Sequence, residues 1–108
     1  MTPSQAPPSN AVPTWQGELL GRLEQFKRFP PEAQEQGEQG VAYLHFTMDR
    51  DGKVLSASIA KSAGYADLDQ ETLALIQRAQ PLPKPPPEVP GDPIALTVPV
   101  QFFLRGGN

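Results

Sequence analysis

The residues with catalytic or ligand chemistry are few and scattered. His45 is the only histidine and there is no cysteine. His45 falls on the polar side of a strand-like run, with no second histidine and no carboxylate cluster at ligand spacing, so it founds neither a metal site nor a general base. Asp49, Asp51 and Gly52 in "DRDG" miss the order and the closing glutamate of a calcium loop, and read instead as a hairpin turn. Ser58 and Ser62 have no activating partner nearby in sequence and stand in no nucleophile elbow. "LPKPPP" has PxxP spacing, which is frequent by chance in proline-rich sequence and reads as a stiff connector. The expectation is a binding module, with no enzyme activity, no cofactor and no metal.

The chemistry that remains belongs to the main chain. "PIALTVPVQFF", Pro93–Phe103, reads as a strand with Pro99 near its middle. Proline has no N–H for a ladder, so it belongs on an edge strand. Successive strand residues direct their backbone groups to opposite neighbours. Thr97, Pro99 and Gln101 are therefore expected to face an open edge, and Val98 and Val100 to bond inward. The alternative is a β-bulge at Pro99 inside the sheet. An open edge is a template for an added strand.

The elements that must position this edge follow from periodicity. Trp15, Leu19, Leu23 and Phe26 form a helical stripe, with Thr14 as its N-cap and Pro30-Pro31 as its stop. "EAQEQGEQG" reads as a polar turn. Val41–Met48 alternate, with Leu44, Phe46 and Met48 on one face. After the Asp51-Gly52 turn a partner strand follows over Lys53–Lys61, with Leu55, Ala57 and Ile59 on one side. A second helix carries Leu68, Thr72, Leu75, Ile76 and Ala79 on one face, and Asp67 with Gln70 resembles a capping box. A polyproline stretch then leads to the last strand, Ile94–Leu104, with Leu96, Val98, Val100, Phe102 and Leu104 toward the core. The order α-β-β-α-β predicts an α+β two-layer sandwich: a three-stranded antiparallel sheet with two helices on one face.

Length and composition narrow the function further. The chain has 108 residues, 38% of them hydrophobic, with 14 prolines and a net charge of −3. Residues 1–13, "MTPSQAPPSNAVP", read as the disordered end of a proline-rich linker, and residues 14–105 as the folded domain. The acidic balance and the lack of a basic patch exclude nucleic acid as a partner. No stretch approaches the roughly 20 apolar residues that span a bilayer.

Three stretches in order, "RFPPEAQEQGEQGVAYLHFTMDRDGKV", "SAGYADLDQETLALIQRAQPLPKPP" and "LTVPVQFFL", resemble the C-terminal domain of TonB, the periplasmic energy-transducing protein of Gram-negative bacteria. The shared features are an aromatic-Pro pair, a D-G hairpin turn, an A-x-P-x-P stretch and a final V-P-V-x-F-x-L strand. They cover about Trp15–Leu104. Phe29 stands where the family frequently has tyrosine, which keeps the packing of the ring and loses its hydroxyl.

The resemblance implies a mechanical coupler. An ExbB–ExbD motor acts through an N-terminal part that anchors such proteins in the inner membrane and is absent from this chain. The periplasmic domain takes the N-terminal TonB box of an outer-membrane transporter as an added strand, and uptake of iron complexes, haem or cobalamin follows. The implied partner-binding residues are Arg28, Phe29 and Pro30 at the aromatic corner, with Thr97, Val98, Pro99, Val100, Gln101 and Phe103 along the last strand. The alternatives are the TolA C-terminal domain, a related envelope coupler, and a self-associating structural domain whose open edge pairs with its own copy as a homodimer.

Overall fold

The computed structural model describes residues 11–104. The elements are α1 (Ala11–Phe26), α2 (Pro31–Glu35), β1 (Gly40–Met48), β2 (Val54–Lys61), α3 (Ala66–Arg78) and β3 (Ile94–Phe102). The strands form one antiparallel sheet in the order β2-β1-β3, so β1 is central and β2 and β3 are the edges. The expected α-β-β-α-β sandwich is present, with the short α2 added.

One face of the sheet carries the core. Leu44, Phe46 and Met48 from β1 and Val100 and Phe102 from β3 are buried against Trp15, Leu19 and Leu23 of α1 and Leu68, Leu75 and Ile76 of α3. Burying each such large side chain contributes about 1.5–3 kcal/mol. On the opposite face Tyr43 and His45 are exposed, as the alternation of β1 requires.

Four local expectations are corrected. The helix α1 begins at Ala11, so Thr14 lies inside its first turn and does not cap it. Pro13 fits there because the first N–H groups of a helix have no intrahelical partner. Most of the expected linker, Met1–Asn10, lies outside the described residues. The first part of the expected polar turn is instead helix α2, opened by Pro31 for the same reason that admits Pro13, and the turn into β1 begins only at Gln36.

At α3 the Asp67 capping box does not form, since Tyr65 is the N-cap and no side chain caps the helix. Asp69 instead accepts from the Ser62 hydroxyl and the Ala63 N–H (2.8 Å), tying the β2–α3 connection to the first turn. In β2, Met48 pairs with Val54 but Thr47 pairs with Ser56, which makes Leu55 the extra residue of a bulge. Val54 is buried in its place and Leu55 is 51% exposed.

The proline-rich segment between α3 and β3 is fastened from outside. Arg50, in the hairpin turn, donates to the carbonyls of Pro86 (2.9 Å), Val89 (2.8 Å) and Gly91 (2.8 Å). Trp15 Nε1–H donates to the Pro83 carbonyl (2.8 Å) and Arg22 Nε–H to the Ala79 carbonyl (2.6 Å). The Leu82 N–H donates to the Gly52 carbonyl (2.8 Å). Gly52 has φ +92°, and a Cβ there would stand 2.1 Å from the Leu82 carbonyl oxygen, so both conformation and space require glycine.

Candidate functional site

Strand β3 pairs with β1 over nine consecutive residue pairs, from Met48–Ile94 to Gly40–Phe102, with no shift of register. This excludes the bulge at Pro99. Its partner is Tyr43. A hydrogen-bonded antiparallel pair exchanges two N–H···O=C bonds, which proline cannot do. The Tyr43–Pro99 pair is therefore of the non-bonded kind, and by alternation so are His45–Thr97 and Val41–Gln101. The backbones of Thr97, Pro99 and Gln101 point away from β1, and those of Val98 and Val100 point toward it. An independent contact agrees, for the Gln101 carbonyl accepts from the Lys27 ammonium, which reaches it from α1.

Helix α1 runs beside this edge and leaves a groove. One hollow, about 180 Å³, is lined by Leu20, Glu24, Lys27, Leu75, Pro99 and Gln101 among others. The next, about 230 Å³, is lined by Gln16, Leu20, Leu96, Thr97, Val98 and Pro99 among others. Leu20 and Pro99 belong to both, so the two hollows are halves of one trough along the strand. Leu20, 39% exposed, forms an apolar wall of this trough.

The aromatic corner meets the far end of the same strand. The Phe29 ring sits edge-on to Phe102, with centroids 5.6 Å apart. Its carbonyl accepts from Gln34 Nε2 of α2 (3.0 Å), and Pro30 leads directly into that helix. The Arg28 N–H donates to Glu71 (2.8 Å), whose carboxylate is gripped by both guanidinium nitrogens of Arg78 (2.9 and 3.0 Å). Those bonds from Glu71 hold the Arg78 pKa above its ordinary value, and Arg78 also donates to the Phe26 carbonyl (2.7 Å). The corner is thus fixed to α3 on one side and to β3 on the other.

The structure brings Phe29 to the end of β3 beside Phe102, and sets Thr97, Val98, Pro99, Val100 and Gln101 along the groove. Arg28 is exposed with its main chain bound to α3, and Phe103 lies just past the strand, 57% exposed. Sequence reasoning missed the other wall, Gln16, Leu20, Glu24 and Lys27. Their spacing of four, four and three repeats the buried stripe one residue on, a signal visible in the sequence itself. His45 and Thr97 are hydrogen-bonded across the strands (Nδ1···Oγ1 2.9 Å), and Asp49 accepts from the N–H groups of Asp51 and Lys53 in its turn. Among the described residues no group of acids, histidines or cysteines is placed to hold a metal.

The family model of the Gram-negative bacterial TonB protein C-terminal region matches residues 25–104. Protein TonB of Pseudomonas putida is 47% identical over 87 residues, 81% of this chain and 36% of that protein. The chain therefore spans little more than a third of the curated relative. Among solved structures, the HasB C-terminal domain is 43% identical with a TM-score of 0.57, covering 94% of this chain and 76% of that one. The Helicobacter pylori TonB C-terminal domain, at 24% identity and TM-score 0.69 over 86% of this chain and 97% of that one, shares the fold. With its matched segment reaching from the end of α1 to just past β3, this chain belongs to the TonB C-terminal family.

Proposed function

We propose that this chain is the periplasmic receptor-gripping domain of a TonB-type energy transducer. It takes the N-terminal TonB box of outer-membrane transporters as an added strand on β3, coupling the inner-membrane proton gradient, through an ExbB–ExbD motor, to uptake of iron complexes, haem or cobalamin. The observation that carries the reading is the unbroken β1–β3 register around Pro99, which turns the Thr97 and Gln101 backbones outward beside an apolar groove.

An incoming segment bonds to N–H groups of Thr97 and Gln101 and to carbonyls including that of Pro99, while alternate side chains enter the groove under Leu20. The aromatic corner, Arg28, Phe29 and Pro30, and Phe103 flank the strand's end. Main-chain bonds accept many sequences, as a coupler serving more than one transporter requires. Ordering a flexible segment costs about 2–5 kcal/mol, which keeps the net affinity modest and the complex releasable.

The test is residue-resolved amide exchange with a synthetic transporter N-terminal peptide. Protection is expected at Thr97 and Gln101. Protection gained at Val98 and Val100 instead, or only along β2, would refute the assignment. Sedimentation across a concentration range separates a monomeric binder from a domain that pairs its own edges.

A further inference from the structure

Strand addition needs free acceptors, and one of those on β3 is already taken. The Lys27 ammonium donates to the Gln101 carbonyl and to Glu24 Oε2 (2.8 Å), and lies 5.6 Å from the centre of the Phe102 ring. Its side chain is only 18% exposed, low for a lysine just past a helix end, while Glu24 is 65% exposed. Among the described residues no side chain holds the outward carbonyls at Thr97 or Pro99 in this way.

We propose that Lys27 is a latch on the edge, occupying the acceptor at Gln101 until an incoming strand displaces it. The inference rests on β3 being the edge that receives a strand. In an added strand, alternate N–H groups point at β3, and the one opposite Gln101 meets a carbonyl already bonded to an ammonium. That oxygen keeps a second lone pair, but an ammonium held on it competes with the incoming N–H and weakens the new bond, so the added strand binds best once Lys27 swings away. Glu24, on the solvent side, gives the departing ammonium a partner. Docking then starts on the open backbone of Thr97 and Pro99 and reaches Gln101 last. The latch weakens every strand that binds, whatever its side chains.

The test compares wild type, Lys27→Met, which keeps the stem and loses the donor, and Lys27→Arg, which keeps a donor. The probe is a capped, uncharged peptide of alternating valine and threonine. Lys27→Met is expected to bind it about fivefold more tightly, given the strength of bonds to charged groups discounted for partial exposure. Lys27→Arg is expected to stay within about twofold of wild type. In the free protein, the Gln101 carbonyl carbon should change its chemical shift in the Met variant.

Unchanged or weaker binding by Lys27→Met, with Thr97 and Gln101 still protected by the peptide, would overturn the latch and leave strand addition standing. Protection at other amides in wild type would overturn the docking edge, and the latch with it.

Discussion

Between Gln80 and Pro93 the chain is dense in residues that cannot donate, so its carbonyls outnumber its N–H groups. Arg50 and Trp15 supply the missing donors from elsewhere in the fold. Along β3 a proline again removes an N–H, yet the groups on that side of the strand are left facing a groove, with one lysine across the far end. The contrast teaches that proline does not by itself decide whether a stretch is closed or available. The decision lies with donors far away in sequence. A segment whose carbonyls are held from several sides is scaffold, and one whose backbone alternates between a bonded and an unbonded side has the free groups that the proposed strand addition uses.

The contrast breaks most visibly within β3 itself. Val98→Pro removes a ladder bond to β1 and should destabilise by about 3 kcal/mol or more, a large fraction of the stability of a domain this size, seen as a strongly lowered urea midpoint. Thr97→Pro, one residue away, removes an N–H that the sheet does not use. Equal loss of stability in the two variants would mean that the alternation has been assigned to the wrong residues.

Gly52→Ala tests the loop's attachment. A side chain in that backbone conformation, set against the Leu82 carbonyl, should cost about 3 kcal/mol by urea denaturation. Arg50→Met leaves three carbonyls of the loop without their donor and should cost about 2 kcal/mol. In both variants the surviving folded protein should bind peptide as wild type does. A matching fall in affinity would show that the loop and the edge act as one unit.

Thr97→Pro, at the other extreme, should lower stability by about 1 kcal/mol or less while weakening peptide binding by about tenfold, measured by titration calorimetry. The smallest effect concerns pH and belongs to neither region. Glu38 is 9% exposed with Oε1 unpartnered, and its pKa is raised, first by the hydrogen bond shared with Asp67, then by burial and by the charges of Asp67 and Glu32. The folded state holds that proton more tightly than the unfolded chain, so the stabilisation it brings is full below about 4.5 and is lost as pH rises through the folded value. Glu38→Gln should remove that decline, seen as melting temperatures that no longer fall across the interval on its account.

Much of this was legible in the sequence, for identifiable reasons. The alternation of Leu44, Phe46 and Met48 has period two and the stripe of Trp15, Leu19 and Leu23 has helical period, and both survive folding because burial enforces them. Pro99 marked an edge because a missing N–H is a local property. Leu55 was misplaced because a bulge consumes a residue without altering the apparent pattern of the strand. Helix α2 was missed because a proline read only as a stop can equally open a helix, as Pro31 does here after α1 has already ended at Phe26. Lys27 carried no signal toward Gln101, since a long flexible side chain meets a carbonyl 74 positions away only through the tertiary fold.

The irregular strand β2 has a consequence for assembly. A sheet with two even edges can add a strand to each and grow without limit, copy upon copy. Here the shifts of register opposite Leu55 and Ala60 break the even succession of outward groups along β2. A strand laid there finds no long run of evenly spaced partners, whereas β3 offers one. With strand addition on β3 as proposed, growth stops after a single addition, and a saturating titration should end at one peptide per chain rather than in fibres.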